Sequence, residues 1–239
     1  MRLDRFLCET TDLTRSLAKK ALHREEVSVD GETVKNPAIQ VGEASRVHWL
    51  GQPLTIVGLR YLMMHKPLGI ECTRRPGLYP TVLELIDLPK VERLHPVGRL
   101  DVDTSGLILL TDDGQWTHRV TSPKAKCAKV YLATLAQPLE SDDAQQAIEA
   151  FAEGIQLDGE DAPTRPAELS MISAHEARLS LTEGKYHQVR RMFAAIGNHV
   201  ESLHRESIGP LKLDPDLEPG ECRMLKQEEV AFFSALNKI

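Results

Sequence analysis

The chain has 239 residues, 41% of them hydrophobic and 5% aromatic, and a formal net charge of −6. That length allows one large domain, or a medium domain plus a small one, and no apolar run approaches the ~20 residues that a membrane-spanning helix needs. Met1-Arg2-Leu3-Asp4-Arg5-Phe6 lacks the apolar stretch of a secretory signal, so the expected location is cytoplasmic, with no membrane partner.

The first 58 residues have a pattern of their own. Leu3, Phe6 and Leu7 recur at helical spacing, and Asp12-Leu13-Thr14 offers a cap for a second helix from Arg15 to Arg24. Leu17, Ala18, Ala21 and Leu22 are its expected apolar stripe. Arg15, Lys19 and His23 fall at i, i+4 and i+8, with Lys20 and Arg24 beside them, which predicts a basic ridge on the opposite side. Val27 to Val34 reads as two short strands about an Asp30-Gly31 turn, and Val47 to Leu50 as another strand. This order, with Arg2-Leu3-Asp4 at its start and Val27-x-Val29-Asp30-Gly31 after the basic helix, resembles the S4 RNA-binding domain. The resemblance implies an RNA-holding module over residues 1–58, with Arg15, Lys19, Lys20 and Arg24 as phosphate contacts.

Gln52 through Gly58 is expected as a linker to a second domain over residues 59–239. In it, Arg60 to Met64 reads as a strand, followed by a Lys66-Pro67-Leu68-Gly69 turn. Leu107 to Thr111 reads as a buried strand closed by Asp112-Asp113-Gly114, and Lys129 to Leu135 as a further strand. Ser141 to Glu153 has the period of an amphipathic helix. It lies in an acidic stretch: between Leu139 and Glu168 nine acids face Arg165 alone. The local balance of −8 exceeds the whole deficit of −6 and leaves the other residues at +2. His118 to Tyr131 contains Arg119, Lys124, Lys126 and Lys129 and no acid. A chain divided in this way can hold RNA on its basic side despite its net charge. Glu168 to Ser173 and Glu176 to Leu181 alternate as a strand pair. His187 to Ile196 reads as a helix stopped by Gly197-Asn198, Val200 to Ile208 as a strand, and Gln227 to Leu236 as a last helix. Strand pairs with interspersed helices and no strict βαβ repetition predict an α+β fold, its sheet mixed, mainly antiparallel and flanked by helices.

Several chemistries are excluded. There is no Gly-x-x-x-x-Gly-Lys-Ser/Thr loop, no Gly-x-Ser-x-Gly elbow and no His-Glu-x-x-His. Cys8, Cys72, Cys127 and Cys222 lie far apart without Cys-x-x-Cys spacing, so no metal site is expected, and no cofactor motif appears. What stands out is His95 to Leu107, a polar stretch between two apolar strands that holds Gly98 and Gly106. Such a loop is where a rigid scaffold presents reactive groups. Taken singly, its residues have ordinary explanations. Asp101 is a turn cap with Arg99 as surface partner, Tyr131 a tyrosine at a core edge, and Arg190 a solvated helix charge. Paired Asp101 and Asp103 would also suit glycosidic hydrolysis.

In combination they have a family likeness. The run Gly98-Arg99-Leu100-Asp101-x-Asp103-Thr104-x-Gly106-Leu107-x-Leu109-Leu110-Thr111-x-Asp113-Gly114 resembles the signature of the RsuA-type pseudouridine synthases. Lys129-x-Tyr131 is similar to that family's second motif, Glu183-Gly184-Lys185-Tyr186-His187-Gln188-Val189-Arg190-Arg191-Met192 to its third, and Lys66-Pro67-x-Gly69 to its lead-in. Gly114 to Pro123 and Met192 to Val200 look like the members that modify small-subunit (16S) ribosomal RNA. The resemblance implies an isomerase that turns uridine into pseudouridine. In it Asp101 is the essential carboxylate, Tyr131 packs on the target base, and Arg190 pairs with the carboxylate. Asp101 either attacks C1′ or removes the C2′ proton; both routes need it ionised. The target base must leave its stack first, and Arg99, Arg119, Lys124 and Lys129 are expected to hold flanking phosphates. The implied partner is small-subunit ribosomal RNA, free or in an assembly particle, with large-subunit RNA or a non-catalytic RNA-binding role as alternatives. The chain is expected to act as a monomer.

Overall fold

Leu3, Phe6 and Leu7 form the buried face of α1 (Leu3–Thr10), which lies against Ala18, Ala21 and Leu22 of α2 (Arg15–His23). The computed structural model describes residues 1–42 and 44–235. Thr14 caps α2, its side chain accepting from the Leu17 N–H. Leu17 itself is 45% exposed rather than part of the stripe. It sits about 100° around the helix from Ala18, at the edge of the arc that the neighbouring elements cover. Two hairpins complete this unit: β1 (Val27–Val29) with β2 (Glu32–Thr33), and β3 (Val47–Trp49) with β4 (Gln52–Leu54), in the order β2-β1-β3-β4. Asp30 and Gly31 (φ +53° and +93°), like Leu50 and Gly51 (φ +50° and +77°), take the paired positive φ values of two-residue hairpin turns. The second turn makes Gln52–Leu54 a strand where the sequence suggested the start of a linker. Contacts divide the chain into Met1–Gly58 and Leu59–Ile239.

The second unit is built on one mixed sheet. Its strands are β5 (Tyr61–Lys66), β6 (His95–Pro96), β7 (Thr104–Thr111), β8 (Lys129–Leu135), β9 (Glu168–Met171), β10 (Glu176–Leu181), β11 (Val200–Ile208), β12 (Leu211–Lys212) and β13 (Cys222–Met224). They run in the order β13-β5-β7-β11-β8-β10-β9, with β12 on β11 and β6 on β7. Among these strands only β7 and β11 pair in parallel; a single parallel bridge also joins Glu71 and Thr81 outside them. Helices α3 (Gly114–Thr121), α4 (Ser141–Glu153), α5 (Gln188–Ala195) and α6 (Gln227–Ala235) flank the sheet. Leu236, expected to end the last helix, lies outside the described residues.

The buried run Leu107–Leu110 alternates between two faces, as a strand must. Ile108 and Leu110 join Leu62 and Met64 on one side; Leu107 and Leu109 join Met63, Trp116 of α3 and Phe233 of α6 on the other. Phe151 of α4 and Phe193 of α5 meet edge to face over β8, β10 and β11 in a third cluster. The Asp112-Asp113-Gly114 turn ends β7 with two different tasks. Asp112 accepts from the Arg60 backbone N–H (2.7 Å) and from its Nε (3.0 Å). Asp113 caps α3 through the N–H groups of Gln115 and Trp116 and accepts from the Tyr61 hydroxyl (2.9 Å).

Candidate active site

The register of the central strands sets a row of residues side by side. Gly106 of β7 is opposite Arg205 of β11, Arg205 is opposite Tyr131 of β8, and Tyr131 is opposite Leu179 of β10. The first step in that row is unusually close. Gly106 has φ +106°, and a Cβ there would lie 2.3 Å from the Arg205 carbonyl oxygen. Glycine is therefore required for β7 and β11 to pair.

Arg205 is buried. Its Nε donates to the Leu107 carbonyl (2.8 Å), and its Nη1 to the Arg99 carbonyl (3.5 Å) and the Tyr131 hydroxyl oxygen (3.4 Å). Its guanidinium carbon lies 5.9 Å from the Tyr131 ring centroid, within cation–π range. Leading directly into β7, the turn closed by Thr104 N–H on the Asp101 carbonyl (3.0 Å) splits the two aspartates. Asp101 lies 3.6 Å from His187 Nε2, whereas Asp103, whose side chain is 65% exposed, pairs with Arg190 at 3.0 Å. Arg190 also donates to the backbone carbonyls of Asp103 and Val200. Arg190 is thus ion-paired with Asp103, not with Asp101 as the family likeness implied. A turn, unlike an extended segment, sends the two carboxylates to different partners.

Asp101, Tyr131, Arg190 and Arg205 line one cavity of about 720 Å³, within the usual range for a ligand site. Its wall carries Arg99, Lys129, Arg165, Lys185, Arg190 and Arg205 against two carboxylates, Asp101 and Glu183. A chain of net charge −6 therefore presents a positive concavity, which concentrates anions. Burial lowers the pKa of the Lys129 ammonium, and Arg205 adds to the effect. Behind the loop, Lys66 of β5 is fully buried and donates to the carbonyls of Pro67 (2.9 Å) and Thr104 (2.8 Å). Desolvation lowers its pKa, while Asp101 and Asp103 act to raise it. Among the described residues, the cavity wall holds three buried polar atoms with no hydrogen-bond partner: Thr104 Oγ1, Arg190 Nε and Arg205 Nη2. Buried polar groups are paired in the great majority of cases.

Of the other residues expected to meet RNA, Arg99 and Lys129 line this cavity. Arg119 and Lys124 do not: Arg119 lies 3.9 Å from Asp113, and Lys124 is exposed on the turn after α3. Arg15, Lys19 and Lys20 are exposed on α2 in the first unit, and Arg24 is exposed at its C-terminal cap. Sequence reasoning passed over Arg205 and His187. The available signal for Arg205 was a charge in the same strand parity as Leu203. No group of three or more potential metal-ligating His, Cys, Asp or Glu occurs among the described residues, and no helix among them is long and apolar enough to cross a membrane.

A positive cavity with one carboxylate on a loop beside a tyrosine agrees with a family match: residues 60–195 fit the model described as RNA pseudouridylate synthase, and the chain belongs to that family. A relative from Vibrio cholerae, named ribosomal small subunit pseudouridine synthase A, is 52% identical over 97% of this chain and 98% of its own length. A relative of the same name from Escherichia coli is 48% identical over 97% and 99%. A crystal structure described as a pseudouridylate synthase is 46% identical, covers 98% of this chain and 99% of its own, and superposes with a TM-score of 0.69.

Proposed function

We propose that this chain isomerises a uridine of small-subunit ribosomal RNA to pseudouridine, with Asp101 as the reacting carboxylate. The observation that carries this reading is the meeting of Asp101, Tyr131 and Arg205 in a positive cavity whose wall holds unsatisfied polar atoms. The relatives' names supply the small-subunit target. The N1–C1′ bond breaks, the uracil turns, a C5–C1′ bond forms, and the C5 proton leaves as N1 regains one. Substrate and product are isomers, so the atoms balance without a donor.

Within this chemistry Asp101 meets C1′ or the C2′ proton. Lys66 and Arg205 hold the backbone on the protein side of its loop, through the Thr104 and Arg99 carbonyls, and place positive charge there. Tyr131 offers its ring to the turning uracil, and Arg205 fixes that ring from behind. Arg190 ties α5 to the loop through Asp103 and holds Asp101 in place from there. Arg99 and Lys129 take phosphates beside the flipped nucleotide, which position the RNA without reading sequence. The first unit acts as an S4-like RNA-holding module through Arg15, Lys19, Lys20 and Arg24. The enzyme works as a cytoplasmic monomer.

Chemical mapping of pseudouridine in small-subunit RNA after incubation with the chain tests this. One uridine is expected to convert, and Asp101→Asn should abolish conversion while RNA affinity stays within about threefold. Full activity in that variant, or free uracil as the product, would overturn the reading.

A further inference from the structure

The rim of the cavity carries an aromatic pair that the isomerisation itself leaves unused. Tyr186 is 74% exposed, a large exposure for a tyrosine ring beside a site. One face lies on the His187 imidazole, with centroids 3.8 Å apart and planes 17° from parallel. His187 Nε2 in turn lies 3.6 Å from the Asp101 carboxylate. The stack therefore starts beside the reacting group and ends at an open aromatic face.

The segment that holds it is clamped. Glu160 takes Lys185 Nζ at 2.7 Å and Arg191 Nη1 at 2.9 Å, and those partners hold its pKa low. Arg191 Nη1 also donates to the Tyr186 carbonyl (3.1 Å), and Glu183 with Gln188 closes the turn from the other side. His187 keeps φ +46° within this frame. A ring held this way loses little freedom when a flat partner covers it. The adjoining wall is rich in cations, which suits a partner that brings phosphates along with the flat group. A nucleobase on its strand is such a partner.

We infer that Tyr186, backed by His187, is the stacking platform for a nucleobase next to the target uridine. This deepens the isomerase reading and rests on it. Stacking on an aromatic face tolerates any base, so the subsite supplies affinity and register without reading base identity.

The test uses the full chain and a small-subunit RNA fragment that contains the target. Tyr186→Ala is expected to weaken binding roughly 5- to 150-fold, with the single-turnover rate at saturating RNA kept within about threefold. Tyr186→Phe and Tyr186→Trp should bind like the parent. An RNA with an abasic nucleotide at the 5′ or the 3′ neighbour should lose as much affinity for the parent chain, and Tyr186→Ala should then add nothing. The inference is overturned if Tyr186→Ala binds normally, if its penalty persists with both abasic RNAs, or if the saturated rate falls while affinity holds. The last result would place the ring on the target base. Pseudouridine formation by the parent chain, scored in the same samples, reports separately on the isomerase reading.

Discussion

At the residue scale, the two aspartates of the loop make opposite demands. Asp101 faces the cavity, while Glu183, the other carboxylate of the wall, is taken up by the Gln188 amide and the Arg165 backbone N–H. Asp103 serves Arg190, which keeps its bonds to two backbone carbonyls without the side-chain pair. Asp103→Asn is therefore expected to cost less than about tenfold in single-turnover rate, because an amide still accepts from Arg190. Release of tritium from 5-tritiated uridine in RNA measures this. A loss as complete as in Asp101→Asn would show that Asp103 shares the chemistry. Arg205 is the harder case. Replacing it with Met removes a buried fork and strands two carbonyls, so a stability loss of roughly 3 kcal/mol is expected. Arg205→Lys keeps the charge but not the fork. It should unfold later than Arg205→Met yet still isomerise at least tenfold more slowly than the parent. Thermal unfolding and the same tritium assay separate the two effects. Asp101 was legible because its motif is contiguous. Arg205 was not, because its meeting with Tyr131 and Gly106 depends on a register between strands more than seventy residues apart.

At the element scale, the parallel contact of β7 and β11 is what brings the loop of Asp101 beside Arg205. Gly106→Ala would force a Cβ into the Arg205 carbonyl and keep an L residue at φ +106°. Urea unfolding should show a loss of more than about 3 kcal/mol. An unchanged midpoint would mean the strands can separate without cost. The opposite face of the same strands holds a second test. His204 lies edge-on to His65 at 5.5 Å, and its Nδ1 is 2.9 Å from the Ser105 hydroxyl. Burial lowers its pKa below 6.5, and His65 adds to this. The unfolded chain then binds a proton that the folded chain refuses. The stability this provides is present above pH 6.5 and is lost as the pH falls through the folded value. The slope attributable to one proton is at most about 1.4 kcal/mol per pH unit. His204→Gln should flatten the fall in stability between pH 7 and pH 5; an identical profile would remove His204 as its source. At this scale the long alternating and amphipathic segments were readable at nearly their final limits, as with Lys129–Leu135 and Ser141–Glu153. The short elements were not: α3 is nearly hidden by its motif residues, and β12 and β13 exist only through their partners.

At the scale of the whole molecule, charge is sorted rather than balanced. Glu140, Asp142, Glu149 and Glu153 stand on or beside α4, while α2 and the cavity wall collect cations. Sequence alone revealed this sorting, because the acids are contiguous along the chain. It could not reveal that Arg119 would be drawn to Asp113, since α3 had to form first. Exposed Arg15 and Lys19 lie one turn apart on α2. If each neutralises one phosphate, binding releases counterions for each, and the logarithm of affinity falls with the logarithm of salt by about 0.7 to 0.9 per contact. Arg15→Glu with Lys19→Glu should therefore reduce the magnitude of the salt slope by roughly 1.4 to 1.8. It should also weaken binding most at low salt and leave the single-turnover rate at saturating RNA near the parent's, because the reacting groups lie in the other unit. Filter binding from 50 to 300 mM salt reads the slope. Parallel lines for parent and variant would mean that α2 faces solvent in the complex and that the cations of the cavity wall carry the electrostatic attraction by themselves.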